Sequence, residues 1–433
     1  MSTFSISGLS SGIDTTSLIS QLMTLAAQPQ NALKTQLSTE QSVISAYQAL
    51  NTKLTAFQAA ADALKQPGTW ASTKASSTSP AVVASTTAAA TAGSSTTFDV
   101  TQLATAQIST LGAAGSVSST PASGFDLVDG SGTSHHLALA DGSAASVLSA
   151  VNSAGLGARA ALVNTDGGQV LQFTSTTTGT SAGFSISGLD SSPQTLVAAQ
   201  NARITVGNPA AGGYTVSSST NTFTNAIPGV TFSVGAIAAG VTVSVSSDAS
   251  AISDKVKALV AAANDVLSTL SIDTGKGAVL ESNYQVNSIT QSVLATISHG
   301  DASANSFASV GVQLTSTGTL SFDADAFAAA YAADPAKTQA TAATSLATSL
   351  SSLASTTSTA TISPLISSGT SQVANLTKQI SDWDTRLADQ QTALQKKYTA
   401  MEVALQKLQS TSSWLSSALG SLDGSNSSSS NSK

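Results

Sequence analysis

The chain lacks cysteine and has few charged or aromatic residues. Of its 433 residues, 9% are charged and 4% are aromatic, and the formal net charge is -7. The absence of cysteine excludes disulfides, thiolate metal sites and thiol catalysis. A nucleic-acid partner would require positive charge for phosphates and rings for base stacking. Between Ala75 and Ser253 the only basic residues besides histidine are Arg159 and Arg203. We therefore predict no nucleic-acid partner.

Long apolar runs are also missing. No stretch approaches the roughly 18 apolar residues of a membrane span, so no membrane insertion is predicted. The start, Met1 to Phe4, lacks the basic region and apolar core of a conventional signal peptide. We expect any export to use a route other than the general secretory pathway.

The chain nevertheless has enough apolar residues to fold. Its hydrophobic content is 41%, and Ser, Thr and Ala take the place of the missing charges. A chain of this length exceeds one hydrophobic core, so about two to four domains are expected.

A heptad stripe near the C terminus is the strongest pattern in the sequence. Apolar residues recur with a period of 3.5, which is typical of a helix that buries one stripe against another helix. The spacing includes one four-residue stutter, which locally unwinds a supercoil without ending it. This predicts a helix from Ser371 to about Leu419, with a hinge at Pro364 and Gly369 before it and a disordered tail from Asp423 to Lys433. The stripe consists of Val373, Leu376, Ile380, Trp383, Leu387, Leu394, Tyr398, Met401, Leu405 and Leu408.

The N-terminal part carries a matching stripe. Asp14 can cap a first helix, which Pro29 interrupts or kinks. A second helix is predicted to run to about Gln66, where Pro67 and Gly68 end it. The two stripes predict that the ends of the chain pair as antiparallel helices, and two unrelated amphipathic helices remain the alternative. The second N-terminal helix has its apolar residues at Val43, Tyr47, Leu50, Leu54, Phe57, Ala61 and Leu64.

The region between about 96 and 250 reads as strands and turns. Alternating apolar residues predict antiparallel strands, including a hairpin that joins Val230–Val234 to Val241–Val245. One helix, Ala144 to Ser153, is expected between Ser143 as cap and Gly155 as stop. Helices return at Ser253. The predicted class is therefore α+β with several domains.

The residues give no catalytic or metal-binding constellation. Gly8–Gly12 and Gly179–Gly183 match G-x-S-x-G, but neither has the strand-to-helix order that the hydrolase elbow needs. His135 and His136 would point to opposite faces of a strand. A third group, Asp126, Asp129 and Asp141, lacks the spacing of a calcium loop. We expect no enzyme activity, no metal and no cofactor.

Several further segments stand out when they are taken together and in order. They are Ile6–Asp14 followed by Leu18–Ile19, Phe98–Ala104, Ile227–Phe232, Val260–Leu267, Gly318–Asp323, and Trp383 through Leu415 with its W-x-x-R-L and Y-x-A-M-E elements. In this order they resemble one family, the flagellar filament cap proteins, also called hook-associated protein 2. The likeness covers most of the chain and is loosest between about 115 and 200. In the Val260–Leu267 helix, Ala263 stands where the family usually has tyrosine.

The resemblance implies an architecture of paired terminal helices with a two-part, β-rich head inserted between them. It divides the chain into a leg, partly disordered when alone, a helical stem, an inner head and an outer head. The implied boundaries are 1–42 with 397–433 for the leg, 43–75 with 253–396 for the stem, 76–114 with 200–252 for the inner head, and 115–199 for the outer head.

The resemblance also implies partners and a location. Several copies, most commonly five, would form a ring at the distal tip of an extracellular flagellum. The ring would retain exported flagellin and promote its folding and polymerisation. Further implied partners are the hook–filament junction proteins and an export chaperone for the C-terminal helix. Export would use the flagellar type III system.

Residue assignments follow from the stripes. We predict that the leg contacts its partners through Leu18, Leu22, Leu25, Trp414 and Leu415. The predicted coiled-coil seam consists of Tyr47, Leu50, Leu54, Phe57, Ile380, Trp383, Leu387, Leu394, Tyr398, Met401 and Leu405. Polar residues such as Asn51, Gln58, Gln390 and Gln391 make the seam imperfect, which costs stability but selects register.

Three other functions remain as alternatives. An acidic, Ser/Thr-rich head could act as a tip adhesin that binds a host surface or mucin. A secreted hydrolase would need a catalytic constellation that the sequence does not contain. A different hook-associated or flagellin-like subunit would share the terminal helices, but the Ile227–Phe232 and Gly318–Asp323 segments favour the cap.

Overall fold

The computed structural model describes residues 14–113, 124–300 and 306–426. The chain forms two compact units, a helical unit of Met1–Lys65 with Lys255–Lys433 and a strand-rich unit of Gln66–Asp254. The start of the chain before Asp14, with the first family segment and the first G-x-S-x-G match, lies outside the described residues, as does the tail after Asn426.

The helices follow the predicted stripes. In chain order they are α1 (Thr15–Ala26), α2 (Gln28–Lys65), α3 (Pro67–Trp70), α4 (Ala144–Ala154), α5 (Ala249–Asp273), α6 (Tyr284–His299), α7 (Ala324–Ala333), α8 (Pro335–Gln339), α9 (Thr348–Thr356) and α10 (Ser363–Asn426). Two π-helical segments, Ala340–Ala347 and Thr357–Ile362, flank α9. Short 3-10 helices are Thr180–Ala182, Pro209–Ala211 and Phe307–Val310.

The strands lie mainly in the strand-rich unit. They are β1 (Thr73–Ser77), β2 (Val82–Thr86), β3 (Ser95–Gln102), β4 (Ile108–Ala113), β5 (Phe125–Val128), β6 (Ser134–Leu137), β7 (Ala158–Thr165), β8 (Gly168–Ser175), β9 (Ser185–Ser187), β10 (Gln194–Val197), β11 (Ala202–Val206), β12 (Tyr214–Ser218), β13 (Thr222–Ile227), β14 (Val230–Val234), β15 (Ala238–Ser247), β16 (Val312–Leu314) and β17 (Leu320–Phe322).

The terminal helices pair in antiparallel fashion, as predicted. The Gln30 side-chain amide donates to the Ile380 carbonyl at 3.3 Å. Further along α2, the Ser358 hydroxyl donates to Asn51 at 2.6 Å. Residue numbers increase along α2, from Gln30 to Asn51, while they decrease along the contacted segment, from Ile380 to Ser358. The two ends of the chain therefore run antiparallel and share one seam.

The hinge predicted at Pro364 and Gly369 is wrong, because α10 runs through both residues without a break. Pro364 is the second residue of α10 and directly follows a π-helical turn. There a proline can be accommodated because its missing N–H is needed least. Gly369 is buried in the interior of α10, where its lack of a side chain allows close approach of Ile44 on α2. The helix also extends through Asn426, so the predicted disorder from Asp423 is wrong for Asp423–Asn426.

The interior of the helical unit comes from apolar helix faces. On α2 the residues Tyr47, Leu50, Leu54, Phe57, Ala61 and Leu64 are all buried. They face the segment from Ala340 to Ile362, which buries Leu346, Leu350, Ala354 and Ile362. Each fully buried Leu or Phe side chain contributes about 1.5–3 kcal/mol of hydrophobic free energy. Helix α5 likewise buries its apolar face from Val256 to Leu270.

The first lobe of the strand-rich unit is a sandwich. A five-stranded sheet in the order β1-β15-β3-β11-β12 packs on a three-stranded sheet in the order β13-β14-β2. Phe98, Phe223 and Phe232 stack in the core between them. The predicted hairpin of β14 with β15 is wrong, because β14 pairs with β13 and β2 whereas β15 pairs with β1 and β3. The alternating residues of both strands face each other across the core instead, as in aligned sandwiches.

The second lobe has its own core. A four-stranded sheet in the order β10-β4-β8-β7 and a three-stranded sheet in the order β6-β5-β9 enclose it with α4. As predicted, Ser143 caps α4 and Gly155 ends it with a φ of 64°. Strand β4, expected in the inner head, pairs with β8 and β10 and belongs to this lobe. Strand β1, expected to straddle stem and head, pairs entirely with β15.

Candidate interaction surface of the terminal helices

Helix α1 is amphipathic and exposes one apolar edge. Asp14 caps it by accepting a hydrogen bond from the Ser17 backbone N–H at 2.9 Å. Thr15 and Ile19 are buried, and α1 lies against α10. On its outer side, three leucines recur about once per turn and stay exposed: Leu18, Leu22 and Leu25. These are the three N-terminal leg residues predicted from the sequence.

Helix α10 presents its heptad stripe toward α1 and α2 as far as Tyr398. Leu376 is buried at 1% exposure. The next seam positions are half-buried, and these are Ile380, Trp383, Leu387, Leu394 and Tyr398. The register explains this protection. Gln30 lies level with Ile380, and the same register continued through α1 brings its first turn level with about Tyr398.

Beyond Tyr398 the stripe continues without a helix to cover it in the described chain. From Tyr398 to Asn426, α10 extends roughly 40 Å at about 1.5 Å per residue. Leu408 is 65% exposed and Trp414 is 68% exposed. Met401, Val403, Leu415 and Leu419 are also exposed, and Leu405 is half-buried. We call this segment, Tyr398–Asn426, the overhang of α10.

The overhang and the outer edge of α1 form the candidate interaction surface. A row of exposed leucines at heptad spacing is suited to knobs-into-holes packing against another helix. Contiguous exposed apolar surface of this kind marks protein contact sites. One ion pair on α10, Lys378 with Asp382 at 3.3 Å, lies outside this surface and is exposed, and such pairs add about 0–1 kcal/mol.

The two halves of the predicted seam lie at different levels of the helical unit. Tyr47, Leu50, Leu54 and Phe57 are opposite the Ala340–Ile362 segment, not opposite Ile380–Leu405. The α10 half faces the first turns of α2 and α1. Both halves carry the more protected positions of their helices, except that Met401 is 37% exposed.

Sequence reasoning missed several residues that set the register. Gln30 is only 4% exposed and reaches both the Ile380 carbonyl and the Asp384 carboxylate. Ser351 donates to Asp62 at 2.7 Å, and Lys65 pairs with the same carboxylate at 2.9 Å. These hydrogen bonds lower the pKa of Asp62, with Lys65 as the larger cause. In the sequence, such a residue can be recognised only as a polar side chain within an apolar stripe, and that pattern does not show which residue it contacts.

The rejected chemical motifs have structural explanations. Ser181 lies in a 3-10 helix before strand β9, which is not a strand-to-helix elbow. His135 contacts Asp129 at 3.0 Å and His136 contacts Asp126 at 2.8 Å, so the adjacent histidines engage separate carboxylates. Hydrogen bonds, chiefly from Ser131, hold the pKa of Asp129 well below its usual value.

Two further findings apply to the described ranges of the chain. Within residues 14–113, 124–300 and 306–426, no three His, Asp or Glu side chains lie together as a metal ion would require. Within the same ranges, no helix has both the length and the apolar character to cross a bilayer.

Comparison with known proteins gives consistent matches at both ends of the chain. The family model for the flagellar hook-associated protein 2 C-terminus matches residues 199–410, and the model for the flagellar hook-associated protein 2 N-terminus matches residues 11–107. No curated protein matches the chain.

Solved structures of flagellar cap proteins are similar to the chain. The D1-D2-D3 domains of the flagellar cap protein FliD from Escherichia coli are 25% identical to it, with a TM-score of 0.53. That match covers 75% of this chain and 99% of the other. FliD (HAP2) from Pseudomonas aeruginosa is 23% identical over 44% of this chain and 94% of its own, with a TM-score of 0.36.

Proposed function

The chain belongs to the flagellar hook-associated protein 2 family, the family of flagellar cap proteins, and from that premise we propose that it caps the growing filament at its distal tip. In this role it retains exported flagellin, promotes its folding and polymerisation, and is required for filament elongation and motility. The protein acts outside the cell after export through the flagellar type III system.

One observation carries this proposal beyond family membership. The heptad stripe of α10 continues past the helices that cover it and leaves Leu408, Trp414 and Leu415 exposed on the overhang. A helix that exposes such a stripe is suited to pack against helices of other subunits. We infer that the overhang and the outer edge of α1 are the leg that contacts filament subunits and junction proteins. The same stripe would need cover during export, which an export chaperone for the C-terminal helix would supply.

The division into leg, stem, inner head and outer head remains a proposal. The two separate cores of the strand-rich unit support an inner and an outer head. We propose that heads of several copies, with five as the number most common in the family, form the ring over the channel. Electron microscopy of the purified protein would count the copies.

The leg hypothesis predicts a specific loss of function. Leu408→Asp with Leu415→Asp places two charges on the exposed stripe, where a partner helix would have to desolvate them. We expect normal folding but loss of motility when this variant replaces the cap protein of the parent bacterium. Far-UV circular dichroism and swimming in soft agar measure the two outcomes.

A matched control adds the same charge elsewhere on the overhang. Ser410→Asp with Ser417→Asp changes two exposed residues outside the stripe. This control should retain motility. Equal motility of both variants would show that the stripe is not the contact surface.

A tip adhesin is the second candidate, supported by the outward face of the five-stranded sheet. Paired hydroxyls cover that face, including Ser76 with Ser244 at 2.9 Å and Thr97 with Thr242 at 2.8 Å. Such a hydroxyl-covered surface could bind glycans or mucin. The compact unit Gln66–Asp254 should then bind mucin-coated surfaces by itself, whereas the cap role requires the terminal helices.

A further inference from the structure

A groove of about 740 Å³ lies between α5 and α6 of the helical unit. Asn264, Ser268 and Ser271 line it along α5 at a spacing of about one helical turn. Along α6 the lining residues are Tyr284, Asn287, Ser288 and Gln291. The turn Thr317–Thr319 between β16 and β17 completes the wall. The volume falls within the range typical of ligand pockets, about 300–1,000 Å³.

The walls of this groove combine polar side chains with the apolar Leu267, Ile272 and Leu294, on two helices whose other faces form the core. The buried stripes are Val266 and Leu270 on α5, and Val286, Ile289 and Val293 on α6. Asn264 fixes the hairpin end, because its side-chain amide accepts from the Leu320 N–H and donates to the Leu320 carbonyl, both at 2.8 Å.

Two largely apolar side chains that line the groove are exposed to solvent. Tyr284 is 84% exposed and Ile272 is 70% exposed, and both line the groove. Tyr284 is the first residue of α6. A tyrosine in this position offers an apolar ring face and a polar hydroxyl to an incoming molecule. Clustered exposed apolar residues beside a concavity indicate a binding site more than an ordinary solvated surface.

The lining chemistry specifies the class of ligand. Among the residues that the structure describes, no Asp, Glu, Lys, Arg or His lines the groove. Amides and hydroxyls each offer both donors and acceptors. The side-chain amides of Asn287 and Gln291 make no hydrogen bond to other described residues, so they are available to a ligand. A matching ligand is uncharged, carries many hydroxyls and has an apolar face, which describes a neutral sugar ring.

We propose that the groove between α5 and α6 binds a neutral saccharide. The sugar ring stacks on Tyr284, and its hydroxyls bond to Asn287, Gln291 and the serines of α5. This site belongs to the helical unit. It is therefore separate from the surface to which the adhesin alternative assigns binding, and it does not depend on the role of the overhang.

Saturation-transfer difference NMR on the full chain tests the proposal. The probes are galactose, mannose, N-acetylglucosamine and lactose, with sialic acid as a charged comparison. We expect transfer to at least one neutral sugar and weaker transfer to sialic acid. Tyr284→Ala should weaken the binding of that sugar by roughly threefold to tenfold, the range expected for loss of one ring contact.

Tyr214→Ala is the matched control, because Tyr214 is also an exposed tyrosine, at 52%, but lies in the strand-rich unit. It should leave sugar binding unchanged, while Gln291→Ala should weaken it. Thermal unfolding followed by circular dichroism confirms that each variant folds. The proposal is overturned if no neutral sugar receives saturation, if Tyr284→Ala binds as the parent does, or if Tyr214→Ala abolishes binding.

Discussion

At the scale of single residues, one glycine determines how closely the terminal helices approach. A Cβ added at Gly369 would lie 2.8 Å from the Ile44 Cγ1 and 3.1 Å from the Glu40 carboxylate oxygen Oε1. Real Cβ atoms essentially never lie as close as 2.8 Å to another atom, so either the Ile44 side chain would have to shift or α2 and α10 would have to separate. Gly420, on the same helix, has no atom within 4 Å of its added Cβ.

The two glycines therefore predict opposite effects of the same substitution. Gly369→Leu should destabilise the helical unit by about 1–3 kcal/mol through overpacking. Gly420→Leu should be neutral or stabilise α10 by up to about 1 kcal/mol, because glycine is a poor helix former. Urea unfolding followed at 222 nm measures both. Equal destabilisation at the two sites would contradict the close contact.

A single carboxylate makes the start of α4 sensitive to acid. Hydrogen bonds from the Ser143 hydroxyl, the Ser146 hydroxyl and the Ser143 N–H lower the pKa of Asp141 to about 2. Because the folded pKa lies below the unfolded value of about 3.9, the stabilisation is complete above pH 4 and is lost as pH falls toward 2. NMR titration of the Asp141 carboxyl should show this midpoint. In Asp141→Asn, the amides of α4 should lose that dependence, and an unchanged acid transition would contradict the assignment.

At the scale of elements, the heptad pattern determines where the helices form, whereas polar contacts determine the register in which they pack. The Leu and Phe stripe of α2 could pack at several registers against another stripe. The Asn51–Ser358 hydrogen bond, the Asp62–Ser351 hydrogen bond and the Gln30–Ile380 hydrogen bond each select one register. A one-turn slip would break these hydrogen bonds, and the buried Gln30 and Ser351 side chains would lose their partners at about 1–3 kcal/mol each.

The local stability of the paired terminal helices is expected to decrease toward α1 and the overhang of α10. The outer edge of α1 is exposed, and from Thr411 to Gly420 no side chain of α10 is buried. Segments with few buried contacts open locally at low free-energy cost. We predict rapid amide exchange in Asp14–Gln28 and beyond Ser410 in the isolated protein, and slow exchange near Leu54 as the internal reference. Strong protection at both ends of a lone monomer would contradict this prediction.

At the scale of the whole molecule, one unit is built from both ends of the chain and the other from its middle. The strand-rich unit, Gln66–Asp254, contains two complete cores of its own. Its folding should therefore not depend on the first helices. The helical unit, by contrast, needs both chain ends because α2 lies against the segments from Ala340 onward.

This separation predicts the effect of truncation. Deleting residues 1–42 removes α1 and the first turns of α2 but leaves Tyr47–Leu64 and the strand-rich unit. We expect the strand-rich unit to fold, as judged by its β-sheet circular dichroism and protease resistance, while cap function is lost. Normal filaments from the truncated protein would remove the leg hypothesis.

The sequence alone determined the elements whose physics is local. Heptad spacing predicted α2 and α10, Ser143 and Gly155 bounded α4, and alternation predicted β14 and β15. The antiparallel pairing of the chain ends also followed, because two apolar stripes of one chain are most simply buried against each other. The seam and leg residues remain predictions. The structure adds that most seam positions are buried or half-buried and that the leg residues are exposed.

Tertiary structure decided what spacing cannot encode. Alternation shows that β14 and β15 each have one buried face, but their partners depend on which sheets close the core. Likewise, Gly369 read as a hinge because glycine is flexible in isolation, whereas the approach of Ile44 makes it a packing residue. The groove between α5 and α6 could not be predicted for the same reason. Its lining residues form one site only when packing brings two helix faces together.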